Sequence, residues 1–219
     1  MARNGKYPSY QDSAGNKVPS VTTVIGRFKD SGPLLYWANK VGREQGLTLD
    51  QAREPAATAG TMAHELVESH LRGETEPALK GSADVIEKAK AAFATFLKWQ
   101  KQSSLEFRHV EVPLVSETYR FGGRLDAIGV IGNELVLCDF KTSNSVYVDY
   151  TLQLAAYKIL WEENYPDHPL IGGFHLLRFA KEEGDFGHHH FPKLEREAAA
   201  FLSMRKLFDE VKECERRVK

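Results

Sequence analysis

The sequence predicts an α/β protein: a central mixed β-sheet flanked by helices, with a helical region ahead of it. Three observations carry this. Up to residue 103 apolar residues recur at helical spacing; from 105 to 141 three β-rich runs follow one another across short turns; beyond that, helical and β-rich stretches alternate. The 219 residues suit a single domain, 42% hydrophobic and 27% charged, as in ordinary globular proteins. Within 1–219 the expected parts are a mainly helical portion, 1–103, forming one wall of a site; a core of sheet and helix, 104–191; and a C-terminal helix, 192–219.

Residues 1–20 are polar, with turn signals at Asp12, Gly15-Asn16 and Pro19, and read as a short hairpin or ordered arm. Ser20 caps a helix carrying Val21, Val24, Ile25 and Phe28 on one side. After Gly32-Pro33 a second helix runs over 34–45 and packs through Leu35, Trp37, Ala38 and Val41. A third spans 50–71, with Gly60 inside and Gly73 beyond its end. Ser82 starts a fourth, over 82–102, periodic in Val85, Ile86, Ala89, Phe93, Phe96 and Leu97. The stretches 105–115, 119–131 and 134–141 form a meander. A helix follows over 150–164, then strands at 171–180 and 186–191 around Glu182-Glu183-Gly184-Asp185, then a closing helix over 194–218. Both faces of 134–141 are apolar, Leu135/Leu137 and Val136/Cys138/Phe140, so this strand is central and covered on both sides.

The chemistry gathers at one hairpin. Gly132-Asn133 is a two-residue turn, and turn length sets register. Ile131 then faces Glu134, Val130 faces Leu135, Ile128 faces Leu137, and Asp126 faces Asp139. Opposed like charges destabilise a ladder. Buried carboxylates in a Val/Leu/Ile hairpin therefore point to a cation between them. Two hard oxygen donors suit Mg²⁺ or Mn²⁺. Lys141, two residues past Asp139, shares its face and is suited to orient or deprotonate a water, or to hold charge on a phosphorane-like transition state.

Other residues are candidates by spacing. His64 and Glu68, four apart, share a helix face, with Gly60 one turn earlier. Glu111 alternates with His109 and Pro113, opposite Val110, Val112 and Leu114, and a neighbouring strand would bring it towards Asp126. Gln153 and Tyr157 share a face of the helix after the hairpin. His188-His189-His190 reads as surface decoration of a strand, because adjacent strand residues point to opposite faces.

A net charge of −1 excludes a simple polybasic binder but leaves room for a nucleic-acid enzyme with a local basic rim. Two cysteines, Cys138 and Cys214, cannot hold a four-cysteine zinc or iron–sulfur site. Cys138, mid-strand, reads as a small buried apolar residue. With no apolar leader and no run approaching about 18 apolar residues, the expected location is cytoplasmic, without membrane partners.

Taken together, Gly60-Thr61-Met62-Ala63-His64 with Glu68, Gly122-Gly123-Arg124-Leu125-Asp126, Asp139-Phe140-Lys141-Thr142 and Gln153-Leu154-Ala155-Ala156-Tyr157 resemble, in order and spacing, the PD-(D/E)XK nuclease superfamily, specifically its RecB-like exonuclease branch. The stretch from Pro19 to Ile25 and Trp37-Ala38 resemble the start of phage and prophage members. The resemblance implies a restriction-endonuclease-like core and a metal-dependent nuclease. It makes His64, Asp126, Asp139 and the Phe140 backbone carbonyl the metal ligands, with Lys141 the catalytic lysine. Glu68 belongs to the His64 element, Glu111 supports a second ion or its waters, and Gln153 and Tyr157 organise the site or touch the DNA strand. One Mg²⁺ or Mn²⁺ ion fits this set, as do two. The four cysteines of the iron–sulfur members are missing, so no cluster is carried over.

The expected function is a metal-dependent DNA exonuclease in recombination, repair or phage DNA processing, in a bacterial or phage-infected cell. It would act on single-stranded DNA or free ends, alone or with a separate helicase, annealing or single-strand-binding protein. Trp37 and Tyr36 are candidates to stack on end bases, with core packing the reading preferred for Trp37. The alternatives are a structure-selective endonuclease and a non-catalytic DNA-binding subunit on the same scaffold.

Overall fold

The computed structural model describes residues 9–179 and 185–218. Its elements, in chain order, are β1 (Tyr10–Gln11), β2 (Lys17–Val18), α1 (Val21–Arg27), α2 (Gly32–Gln45), α3 (Leu49–Arg72) and α4 (Ala83–Gln100). They continue with β3 (Leu105–Ser116), β4 (Phe121–Ile131), β5 (Glu134–Lys141), α5 (Val148–Asn164), β6 (Phe174–Phe179), β7 (Phe186–Phe191) and α6 (Glu195–Arg217). The caps explain several boundaries. Ser20 Oγ accepts from the Thr23 amide, Thr48 and Gln51 close a reciprocal capping box at the start of α3, and Gly73 ends that helix in the left-handed region.

The main sheet is mixed, in the order β3-β4-β5-β6-β7, so β5 is central as its two apolar faces required. It is antiparallel to β4 and parallel to β6. A parallel neighbour needs a long return connection, which α5 supplies. One face packs Leu125, Ile128, Leu137 and Leu176 against α1, α5 and α6. The other packs Val136, Cys138, Phe140 and Leu177 against α3 and α4 around Phe96. The fold class is thus a mixed sheet flanked by helices, with α1–α4 ahead of it. Those N-terminal helices divide between the two faces.

Register follows the turn. Gly132 (φ 62°) opens the two-residue loop, and Ile131↔Glu134, Val130↔Leu135 and Ile128↔Leu137 pair as expected. The ladder ends at Ala127↔Cys138, one step before Asp126 and Asp139. There the Phe140 amide donates to Asp126 Oδ2 at 2.8 Å instead of continuing the backbone pairing.

Two strand starts differ from expectation. Arg120 is left-handed (φ 56°), so β4 starts at Phe121 rather than 119. Gly173 (φ 84°) follows a turn through Ile171, so β6 starts at Phe174. Residue 180 and most of the expected turn 182–185 lie outside the described residues. The alternation assumed for β3 also fails. A register shift between Phe107 and His109, then left-handed backbone at Glu111 (φ 56°), break the two-residue period. His109 consequently lies against Trp161, on the side of Val112 and Leu114.

The histidines of β7 do face solvent, but they cover a buried one. His175 is directly paired with His190, stacked on it at 4.6 Å, and joined to His188 Nε2 through Nδ1 at 2.7 Å. Burial lowers the His175 pKa from 6.5 to about 4. Between those values the unfolded chain binds the extra proton, so this group's contribution is lost as pH falls from about 6.5 to 4, by roughly 3 kcal/mol. Carboxylates with raised pKa, such as Glu111, act in the opposite sense. The comparison that isolates His175 is therefore the difference in melting temperature between wild type and His175→Gln. That difference should shrink on acidification from pH 7 to 5; a constant gap would contradict it.

Candidate active site

Five of the residues singled out from the sequence, His64, Glu68, Glu111, Asp126 and Lys141, line one cleft where β4 and β5 separate. The cleft has a volume of about 900 Å³ and is also lined by Arg124, among others. Helix α3 supplies one wall, and its lining positions from Ala52 to Glu68 recur at helical spacing. Strand ends supply the floor.

Asp139 is fully buried, and neither of its oxygens receives a well-formed hydrogen bond. The Lys141 ammonium contacts its Oδ2 as an ion pair. Burial raises the Asp139 pKa; Lys141 opposes this and Asp126 adds to it. Burial alone would lower the Lys141 pKa, but Asp139 and Asp126 outweigh it, and the net shift is upward. The lysine is therefore an ammonium, which suits charge stabilisation better than proton abstraction. Its Nζ also lies 5.1 Å from the Tyr150 ring centre.

Glu111 is turned into the cleft by its left-handed backbone and paired with Arg124. Burial first, then Asp126, raise its pKa to about 7. Glu68 pairs with Arg72 at 2.6 Å, one turn along α3. Burial lowers the His64 pKa against the pull of Asp126, leaving a neutral imidazole, the form that ligates metals. Asp126 has no ion-pair partner among the described residues.

These donors fit a hard divalent cation. Two carboxylates meet at one strand junction, one of them is buried without hydrogen-bond donors, and a neutral imidazole stands beside them. No three His, Cys, Asp or Glu side chains among the described residues converge as a ready-made cage. In this arrangement Lys141 engages Asp139 and Arg124 engages Glu111.

Gln153 Nε2 donates to Tyr157 Oη at 2.7 Å. Tyr157 is buried under β4, and burial followed by Asp126 and Asp139 pushes its pKa upward. With Tyr10, Ser20, Gly123 and Asp126 it lines a smaller recess adjoining the cleft.

The glycines around the site mark close approaches. A Cβ on Gly60 would stand 2.6 Å from Thr142 Oγ1, so the space kept clear there belongs to the β5 end rather than to substrate. A Cβ on Gly122 would collide with the Tyr10 ring, and one on Gly123 would stand 2.8 Å from Tyr157 Cε1. The pair Gly122-Gly123 thus admits an aromatic ring at each position. The N-terminal arm is pinned alongside by the bond from the Gly122 amide to the Pro19 carbonyl.

Sequence reasoning missed the arginines that pair with Glu68 and Glu111, because spacing identifies acids on a face but not the rotamers of their partners. Of its two readings of Trp37, base stacking and core packing, it preferred packing. The indole is 38% exposed and lines the cleft, since α2 buries only Val41.

A family model of the PD-(D/E)XK nuclease superfamily matches residues 32–218. The chain belongs to that superfamily. PD-(D/E)XK nucleases hydrolyse phosphodiester bonds and generally use divalent metal ions. No curated protein matches the chain. Among solved structures, one named "Putative exonuclease", from Eubacterium rectale, is 13% identical with a TM-score of 0.47, covering 68% of this chain and 64% of that one. A second, SSO0001, is 13% identical with a TM-score of 0.34, covering 69% of this chain and 72% of that one. The chain spans just under two thirds of the first neighbour. No helix among the described residues of this PD-(D/E)XK protein is long and apolar enough to cross a membrane.

Proposed function

We propose that the protein is a Mg²⁺- or Mn²⁺-dependent deoxyribonuclease of exonucleolytic type, of the RecB-like branch, working in DNA recombination, repair or phage DNA processing. The observation that carries the reaction is Asp139: a fully buried carboxylate without hydrogen-bond donors, ion-paired to the Lys141 ammonium that lines the open cleft together with Asp126. His64, Asp126, Asp139 and the Phe140 carbonyl would hold the cation, with Glu111 serving a second ion where two bind. A divalent ion bound there supplies Lewis acidity at the scissile phosphate.

The chain's own groups do the rest. Water attacks phosphorus in line, the P–O3′ bond breaks, and the products carry a 5′-phosphate and a 3′-hydroxyl. Lys141 holds negative charge on the phosphoryl oxygens as the transition state forms, and Asp139 keeps its ammonium in place. Tyr157, fixed by Gln153, braces the β4 side. The exonucleolytic reading is supported by the ordered motifs from Gly60 to Tyr157, which resemble the RecB-like branch.

The test is digestion of end-labelled linear and covalently closed circular DNA, single- and double-stranded, with Mg²⁺, Mn²⁺ or chelator. Linear DNA should be degraded from its ends with either metal, circles should survive, and chelator should stop the reaction. Cutting of closed circles would move the reading to an endonuclease. No cleavage with either ion would leave only a DNA-binding role.

A further inference from the structure

We propose that Trp37 is a stacking platform for an unpaired nucleobase, so that the cleft selects single-stranded DNA; this deepens the nuclease reading and rests on it. Helix α2 buries only Val41, while Leu35 and Tyr36 face solvent at 61% and 76% exposure. Trp37, the largest side chain of the helix, keeps 38% of its surface exposed. Its indole lines the same cleft as His64 and Lys141.

The α3 wall of that cleft presents Ala52, Ala56 and Ala57, none with atoms beyond Cβ, so a flat aromatic group has room along that wall. Arg53 stands on that wall without an ion-pair partner among the described residues, whereas Arg72, Arg124 and Lys141 each hold a carboxylate. An aromatic face with a free guanidinium nearby is the pairing that single strands use: the base stacks and the phosphate meets the cation. Every base has a π-face, so the platform is indifferent to sequence. Within a duplex both faces of each interior base are already covered, so away from its ends the platform has nothing to take. Trp37 would therefore act as a specificity-determining residue, separate from the groups that touch the phosphate under attack.

The test is binding of a thymidine oligomer, with chelator present so that the DNA stays intact. The oligomer should quench tryptophan fluorescence in the wild type, and Trp37→Phe should abolish the quench while binding changes no more than a few-fold. Trp37→Ala should weaken oligomer binding about tenfold, the range of one stacked base, and change duplex binding less than twofold. An oligomer of abasic sites should bind wild type and Trp37→Ala equally, since it has no base to lose. Equal affinity of wild type and Trp37→Ala for the normal oligomer, or a quench that persists in Trp37→Phe, would overturn the inference and leave the nuclease reading intact. A wild type that bound no DNA in any form would remove both.

Discussion

Asp139→Asn should lower DNA hydrolysis by about a thousandfold or more, while raising the melting temperature of the metal-free protein. The activity loss follows from removing a buried oxygen donor and the anchor of the Lys141 ammonium together. The gain in stability follows from linkage. The Asp139 carboxyl is pushed above its ordinary range by burial, and an acid with a raised folded-state pKa is most favourable to folding below its unfolded value. That contribution is lost as pH rises through the folded value. At pH 8 the charged form is a liability that asparagine removes, and the Lys141 ammonium left behind still faces the Asp126 carboxylate, so it is not stranded and the variant should melt a few degrees higher. Below about pH 4 both proteins carry a neutral side chain there and the difference should close. Thermal melts in chelator at pH 8 and pH 4 check the sign. Wild-type cleavage by the variant with Mg²⁺ would remove Asp139 from the mechanism.

Lys141→Met should be equally damaging to cleavage and opposite in stability. It strips the countercharge from a buried carboxylate, and breaking such a pair from one side costs about 3–5 kcal/mol. The double variant Asp139→Asn/Lys141→Met has no charge to strand, so it should recover most of that loss. Urea unfolding of the four proteins in chelator measures the coupling. Additive losses would mean that the pair is not energetically linked. Divalent cation should also restabilise Lys141→Met, because binding to the folded state alone shifts the unfolding equilibrium. This readout is independent of any cleavage assay.

The hairpin was the most legible part of the molecule. A two-residue Gly-Asn loop leaves one register open, and the alternation of Val, Leu and Ile allows no slip without exposing the core. The helix start at Ser20 and the stop at Gly73 were equally local, since a cap is a contact between residues two to four apart. The interruptions of strand β3 were not legible, although its span was. Its bulge after Phe107 and the left-handed Glu111 depend on what the neighbouring strand and the cleft impose, and a period-2 pattern cannot announce its own interruption. The exposure of Trp37 was not legible for the same reason: an apolar stripe indicates which side of a helix seeks cover but not whether another element arrives to provide it.

By itself the sequence determined the central strand, the register that draws Asp126 and Asp139 together, and the helix face shared by His64 and Glu68, because each depends on spacing within one element or one tight turn. Tertiary structure alone decided that Asp139 ends fully buried beside Lys141 while Asp126 takes the Phe140 amide, that Arg124 and Arg72 claim the flanking glutamates, and that an indole stands open in the cleft. Those outcomes require segments as far apart as α2, α3 and β5 to pack around one another. Burial and ion pairing are properties of that packing, not of any stretch of chain.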